Sequence, residues 1–535
     1  MVIHEYMPFI IVLLLAVLIL VMLGERVKIA YPIFLVLSGL GLSMIPGVPH
    51  IQMDPELVFL IFLPTILYEA AWYTPWQDFY KYKRHISLLA FGLVIFTSLI
   101  VALVAESMIP GFTLALGFLL GGIISPPDAV AATSVLKRMR VPKRVLAILE
   151  GESLINDASS LIVFKFALAA VITHQFSMGM AIQQFFLVAG MGTVVGLVIA
   201  ALMYLIHRYV PTSSHVDTAL ALLAPYMMYI GAEHFHFSGV MAVVAGGLFL
   251  SYHSHRILTH ESRLQATGFW STLVFLMNGT IFILIGLEMS VIRDNMNGFT
   301  MAEGIQFGII ISLTIIFVRF LWTYFILFVP RELFTYLKEP PPDWRDAMII
   351  SVAAMRGVVS LAAAFSIPLL LPSGEVFPQR NIILFVTFVV IMITLVGQGL
   401  ILPLLLKFLD IKEKDELVDE DEQEAMIGVL LKKAALKKLT DQYGTEINRN
   451  QLVSNLKRQL ETQIEVTYEK KESLEGIQSR KEELFEYQRI MRELIHVQRQ
   501  ELARLRSAES FADELLREQG VQLDLDEARI STIIA

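Results

Sequence analysis

The sequence predicts an all-α polytopic membrane protein with about thirteen transmembrane helices, two inverted repeats and two interrupted helices, followed by a helical cytoplasmic tail. Three observations predict it. Of 535 residues, 55% are hydrophobic and 17% charged, where a soluble domain carries about 25% charged residues. Long apolar runs recur along the first three quarters of the chain, and the mean hydropathy is +0.63. Charge is also segregated: residues 410–535 hold 20 Lys and Arg against 28 Asp and Glu, whereas residues 1–409 hold 22 of each. This composition excludes an ordinary soluble enzyme, a nucleic-acid-binding protein and a disordered chain. The absence of cysteine excludes disulfides, thiolate metal sites and thiol catalysis.

A span needs roughly 20 apolar residues to cross about 30 Å of hydrocarbon. Such runs lie near 8–23, 31–45, 57–73, 86–107, 112–137, 143–172, 181–206, 216–233, 237–251, 269–291, 303–329, 346–371 and 380–408. The first is preceded by Glu5 and no basic residue, and no small-residue cleavage site follows, so it reads as a retained span rather than a signal peptide. The fifth is cut by Ser125, Pro126, Pro127 and Asp128; the twelfth carries Met355, Arg356 and Gly357, and later Pro368. Proline inside a helix removes a hydrogen bond and clashes with the preceding turn. In lipid, such broken backbone survives where protein or a water-filled cavity satisfies it. The fifth and twelfth spans sit seven apart, as they would if spans 1–6 and 8–13 were repeats around a linking span. Paired interrupted helices at corresponding positions point to a midplane binding site.

Loop charges set the orientation. One alternate set of loops holds sixteen basic residues, among them Arg26, Lys81, Lys83, Arg84, Lys143, Arg144, Arg208 and Arg256; the other set offers Arg293 and Arg380. The positive-inside rule puts the first set in the cytoplasm, the amino terminus outside and the carboxy terminus inside. Residues 1–409 then form a membrane domain in the cell membrane and 410–535 an acidic tail for regulation or interaction. That tail opens with a charge run at 410–424. It continues with two apolar stripes, Leu452, Leu456, Leu460 and Ile464, then Leu484, Tyr487, Ile490, Leu494 and Val497. Such stripes mark amphipathic helices that pack together or on an unidentified partner.

A charge at the bilayer centre costs about 2.5–3.5 kcal/mol on insertion scales. Asp157 and Asn156 lie inside the sixth span, with Ser153 four residues before Asp157 on the same helix face. Asp128 sits at the break in the fifth span and Glu69 lies in the third. These groups, with freed backbone carbonyls, make an all-oxygen donor set suited to a hard monovalent cation. Helix capping and structural ion pairing are the competing reading, most directly for Asp128, where Pro126, Pro127 and Asp128 resemble a helix start.

Here the chain resembles a family. SPPDAVA (125–131), LEGESLIND (149–157), FLPTILYEA (62–70) and MRGVVSLAAAFSIP (355–368) are similar to the signature segments of the monovalent cation:proton antiporter family, which includes bacterial sodium/proton antiporters and animal sodium/proton exchangers. The resemblance covers most of residues 1–409. It implies a secondary antiporter exchanging Na⁺, with K⁺ or Li⁺ as alternatives, for H⁺. Asp157 would take proton and cation in turn, and Asp128, Ser153, Glu69 and the Pro127 carbonyl would complete the cation site. Asn156 would stand where electrogenic relatives carry a second aspartate, which implies electroneutral exchange. Glu152 and Arg356 would pair and fasten the sixth span to the twelfth. The family usually has Thr at position 127 and often Pro at 129, where this chain has Pro127 and Ala129. A homodimer is implied by the family, and no cofactor or nucleic acid.

Two other classes compete: a cation channel lined by the same carboxylates, and a transport-fold sensor signalling through the tail. An enzyme is disfavoured because no nucleophile–base constellation or metal cluster is legible. Lys165 and Arg319 are further charges inside spans, and Asn278 suits an interhelical hydrogen bond. His234 and His236, near a span end, do not read as a metal site, and His253, His255 and His260 read as solvated loop histidines, with tuning by internal pH as the alternative.

Overall fold

Proline, glycine and helix-end chemistry cut the apolar sequence into helices close to where hydropathy puts them. The computed structural model describes residues 2–27, 29–45, 56, 58–136, 139, 141–173, 178–289, 292, 299–333, 343–409, 420–472, 477–507, 516, 519–520 and 522–527. The basic residues Lys28, Lys137, Arg138, Arg140, Arg293 and Lys338, and the part of the charge run at 410–419, lie outside the described residues.

The membrane segments are α1 (Val2–Val27), α2 (Tyr31–Ser43), α3 (Val58–Tyr73), α4 (Lys83–Met108), α5a (Leu114–Ile124), α5b (Ala129–Leu136), α6 (Lys143–Thr173) and α7 (Met178–Tyr209). They continue with α8 (Ser214–His234), α9 (Gly239–Ile257), α10 (His260–Leu287), α11 (Met301–Leu333), α12a (Trp344–Val352), α12b (Val358–Phe365) and α13 (Arg380–Leu409). Among the described residues, α1, α4, α6, α7, α10, α11 and α13 are each long and apolar enough to cross a bilayer alone. Turns with the wider i→i+5 hydrogen bonding interrupt α3 at Val58–Phe62, α4 at Leu88–Leu93 and α13 at Met392–Gln398. Such bulges recur at functional sites.

The two expected interruptions are present. The α5a helix stops at Ile124 because Pro126 and Pro127 cannot donate the next backbone hydrogen bonds, and the chain resumes as α5b at Ala129. The α12 break falls on residues 353–357, immediately before α12b. Pro368 lies beyond the end of α12b at Phe365, so it terminates that segment and takes no part in the break.

Helix packing follows a two-fold exchange. Helix α2 packs on α10 and α3 on α9; α1 packs on α10 and α8 on α3. Exchanging helices 1–6 with 8–13 converts each pair into the other. The contact of α4 with α11 maps onto itself. Corresponding helices are seven spans apart, so the repeats run in opposite directions.

Helix α6 divides its apolar surface between two cores. Ile148, Leu149 and Phe164 join residues of α2, α4, α5 and α11–α13, whereas Leu154, Ile155 and Ala158 join residues of α3 and α7–α9. The middle of α6 therefore lies at the seam between them.

The chain divides into two compact units, Met1–Glu413 and Lys414–Ala535. In the second, α14 (Glu420–Gln442) and the short α15 (Gly444–Arg449) pack on α16 (Gln451–Glu472), and α17 (Ile477–Ser507) follows. On α16 the apolar stripe runs from exposed Leu452 and Leu456 to buried Ile464. On α17 Ile490, Leu494 and Val497 are exposed; the side chains of Leu484 and Tyr487 lie outside the described residues.

Small residues let backbones touch where lipid supplies no drive for helix association. A Cβ at Gly39 of α2 would strike the Ile283 carbonyl oxygen of α10, whereas one at Gly41 meets nothing within 4 Å. Gly39→Ala is therefore expected to lower stability by about 1–3 kcal/mol through overpacking. Gly41→Ala, two residues on, should stay within about 0.5 kcal/mol of the parent. Thermal unfolding of the detergent-solubilised variants checks both.

Candidate functional site at the crossing of the interrupted helices

An interrupted helix exposes backbone carbonyls at one new end and N–H groups at the other, which act as negative and positive partial charges. At the carbonyl ends stands Arg356, which is buried. Its Nε donates to the Ile124 carbonyl at 2.9 Å and its Nη2 to the Ser125 carbonyl at 3.3 Å; Nη1 donates to the Ala354 carbonyl. One guanidinium thus satisfies the last carbonyls of α5a and a carbonyl of the α12 break. The Arg356 N–H donates to Thr394 Oγ1 at 3.2 Å, in the widened turn of α13.

At the N–H ends stands Asp128. Its Oδ1 accepts from the Val130 N–H at 2.8 Å, capping α5b, and its own N–H donates to the Met355 carbonyl at 2.7 Å. The capping reading of Asp128 is therefore realised, and it engages one of the two carboxylate oxygens. The other, Oδ2, lies against Gly357, where any Cβ would collide with it. Glycine at 357 is what lets the carboxylate reach the start of α12b.

Helix α6 presents its polar face to this crossing. Asn156 is fully buried, and its Nδ2 donates to the Pro127 carbonyl at 3.0 Å. Its Oδ1 is buried with no hydrogen-bond partner among the described residues. Asp157 is buried beside it, within electrostatic reach of Asp128. Ser153 stands one turn earlier on α6 and is half-buried. Glu69 is half-buried on α3, and it and Asp128 both lie within electrostatic range of Tyr31 at the start of α2. Tyr31, held by ring contacts with Phe275 and Phe282, is a group that sequence reasoning missed. Among the described residues no three His, Asp or Glu side chains converge as a metal cluster. What comes together at the crossing is Asp157, Asp128, Asn156 and the Pro127 carbonyl.

The expected pair between Glu152 and Arg356 is not formed. Glu152 instead takes a bidentate pair with Arg319 of α11, Nη1 to Oε1 at 2.6 Å and Nη2 to Oε2 at 2.8 Å, both residues 1% exposed. Arg319 Nε also donates to the Ile350 carbonyl of α12a at 3.1 Å. The physical reason is that the helix-end carbonyls already occupy the Arg356 guanidinium. The pair thus fastens α6 to α11 and, through Ile350, to α12a. A buried carboxylate demands a partner, and Arg319 was the other arginine inside a span; that demand was the available signal. Lys165 of α6 is likewise paired, its Nζ 2.9 Å from Glu233 Oε2 of α8.

Replacing Arg319 with Met strands the Glu152 charge and should cost about 3–5 kcal/mol. The double replacement Glu152→Met with Arg319→Met should recover most of that loss. In double-mutant cycles read by thermal unfolding, the coupling of Glu152 to Arg319 is expected to exceed its coupling to Arg356.

Comparison with known proteins bears on this arrangement. The family described as sodium/hydrogen exchanger, transmembrane, matches residues 11–408. A sodium, potassium, lithium and rubidium/H⁺ antiporter of Bacillus pumilus is 33% identical over 423 residues, 77% of this chain and 62% of its own length. The chain thus spans less than two thirds of that relative, and likewise 58% of its Bacillus subtilis counterpart. An uncharacterised Na⁺/H⁺ exchanger of Mycobacterium tuberculosis is 30% identical over 530 residues, 97% of this chain and 95% of its own. The solved sodium proton antiporter of Methanocaldococcus jannaschii superposes with a TM-score of 0.61 at 21% identity, covering 75% of this chain and 100% of that one, and so shares the fold. By the extent of these matches, the chain belongs to the sodium/hydrogen exchanger family.

Proposed function

We propose that this protein is a secondary active antiporter, exchanging Na⁺, with K⁺ or Li⁺ as alternative cargo, for H⁺ across the cell membrane. The observation that carries the reading is Asp157, buried midway along α6 beside the crossing, next to an Asn156 Oδ1 and a Pro127 carbonyl that add oxygen donors. Low dielectric disfavours an isolated carboxylate charge, so one proton or one cation restores neutrality, and each displaces the other. In this reading Asp128, Ser153 and Glu69 supply further oxygens as the cation is held. The cation is the cargo, and neither a cofactor nor enzymatic chemistry is part of the cycle.

Asn156 cannot ionise, so the loaded site carries the same charge in both directions and no net charge moves. A second carboxylate at that position would move one more charge, worth about 2.3 kcal/mol per 100 mV. The basic loops favour an amino terminus outside and a carboxy terminus in the cytoplasm, which makes residues 410–535 a cytoplasmic tail that regulates or recruits. A homodimer accompanies this reading by resemblance to the family.

The test is cation-induced proton release from vesicles holding the purified chain, across Na⁺, K⁺ and Li⁺. The parent is expected to release protons, and Asp157→Asn to lose exchange altogether. Competition at one site further predicts that the apparent KM for the cation rises up to tenfold for each unit of falling pH. Unchanged exchange in Asp157→Asn, or a voltage-dependent current through the parent, would overturn the reading.

A further inference from the structure

The connector between α3 and α4 packs on the bundle through Phe79 and Tyr82 and carries charges that the crossing does not use. It contains a short helix, Trp76–Lys81, with Trp76 42% and Tyr80 58% exposed. Cations sit over its rings: Lys83 Nζ lies 3.8 Å from the Tyr80 centroid and Lys81 Nζ 5.1 Å from that of Tyr82. Against the same Tyr82 ring stands Arg144, its guanidinium carbon 6.0 Å from the centroid. Arg144 is 5% exposed, and its Nε finds no hydrogen-bond partner among the described residues. It lies in the first turn of α6, where free N–H groups add positive potential.

A buried guanidinium nitrogen with no partner among the described residues is unfavourable unless something anionic completes it. We propose that Arg144 and Lys81, which share the Tyr82 ring, together with Lys83 over the neighbouring Tyr80, form a binding site for the phosphate of an anionic phospholipid headgroup. A phosphodiester offers one negative charge and two oxygens, which suit the planar fork of arginine. Lipid is favoured over free phosphate by the surroundings. The connector joins the ends of two membrane spans and so lies at the bilayer surface, and exposed Trp76 and Tyr80 are the amphipathic rings enriched there. Lys81 and Lys83 stand where they face headgroups of an anionic leaflet. This site is independent of the transport reading, because none of its residues touches the crossing.

The test uses the full-length purified chain. After delipidation, phosphatidylglycerol, phosphatidylcholine or inorganic phosphate is added; retained lipid is counted by native mass spectrometry and stability followed by thermal unfolding. The parent should retain phosphatidylglycerol and gain stability from it, and respond to neither other addition. Retention should weaken about fivefold for each basic group removed, in Arg144→Gln and in the double variant Lys81→Gln with Lys83→Gln. Should Arg144→Gln fail to fold, the exposed lysine pair decides. Arg208→Gln with Arg256→Gln, basic residues elsewhere, should bind as the parent does. Equal retention of phosphatidylcholine, equal stabilisation by inorganic phosphate, unchanged binding in the lysine variant, or an equal loss in the Arg208 and Arg256 control would each overturn the proposal.

Discussion

Broken backbone inside a membrane is tolerable when its free ends are neutralised by protein, and in this chain two side chains of opposite charge perform that task. Arg356 takes the carbonyl end of α5a and part of the α12 break, while Asp128 caps α5b and reaches the start of α12b across Gly357. Each residue comes from one interrupted segment and serves the other as well, so neither segment is satisfied alone. The other polar contacts of the region brace this arrangement from outside. Asn156 holds the Pro127 carbonyl, Thr394 holds the Arg356 N–H, and the Glu152–Arg319 pair ties α6, α11 and α12a together.

The packing around the crossing repeats the same logic in apolar terms. Helix pairs related by the two-fold exchange, α2 with α10 and α3 with α9, approach closely where small residues allow it. Gly39 and Gly286 meet partner backbone at the first, and Gly247 meets Ala71 at the second. The seam of α6 between two cores then places Asp157 where surfaces belonging to different cores face one another.

Much of this was legible in the sequence, for identifiable reasons. Helix number and extent follow from hydropathy and proline, because lipid leaves the backbone few alternatives. The break in α5 is written in Pro126 and Pro127. Legibility failed where a side chain had several acceptable partners. Glu152 could reach one of two intramembrane arginines, and the outcome depended on the demand of helix-end carbonyls for Arg356, a tertiary quantity that no spacing encodes. Pro368 looked like a helix breaker and lies past a helix end. Tyr31 was invisible because a tyrosine at a helix start carries no charge to flag it, and its packing on Phe275 and Phe282 of α10 is a tertiary contact that no spacing encodes. In the tail, the α16 stripe was readable as amphipathic, yet its burial only toward Ile464 depends on where α14 packs.

The pairing of Glu152 with Arg319 has one more result, in the charge balance of α6. That pair offsets the charge of Glu152, and Asn156 carries none, so on the polar face of α6 Asp157 is the carboxylate that no ion pair among the described residues balances. A locus holding one negative charge becomes neutral with a single positive one. A divalent ion there would leave an uncompensated positive charge in low dielectric, a penalty of several kcal/mol. Under the proposed antiport cycle, the Glu152–Arg319 pair would therefore act as a counter of cargo charge, favouring univalent ions before size or ligand geometry is considered.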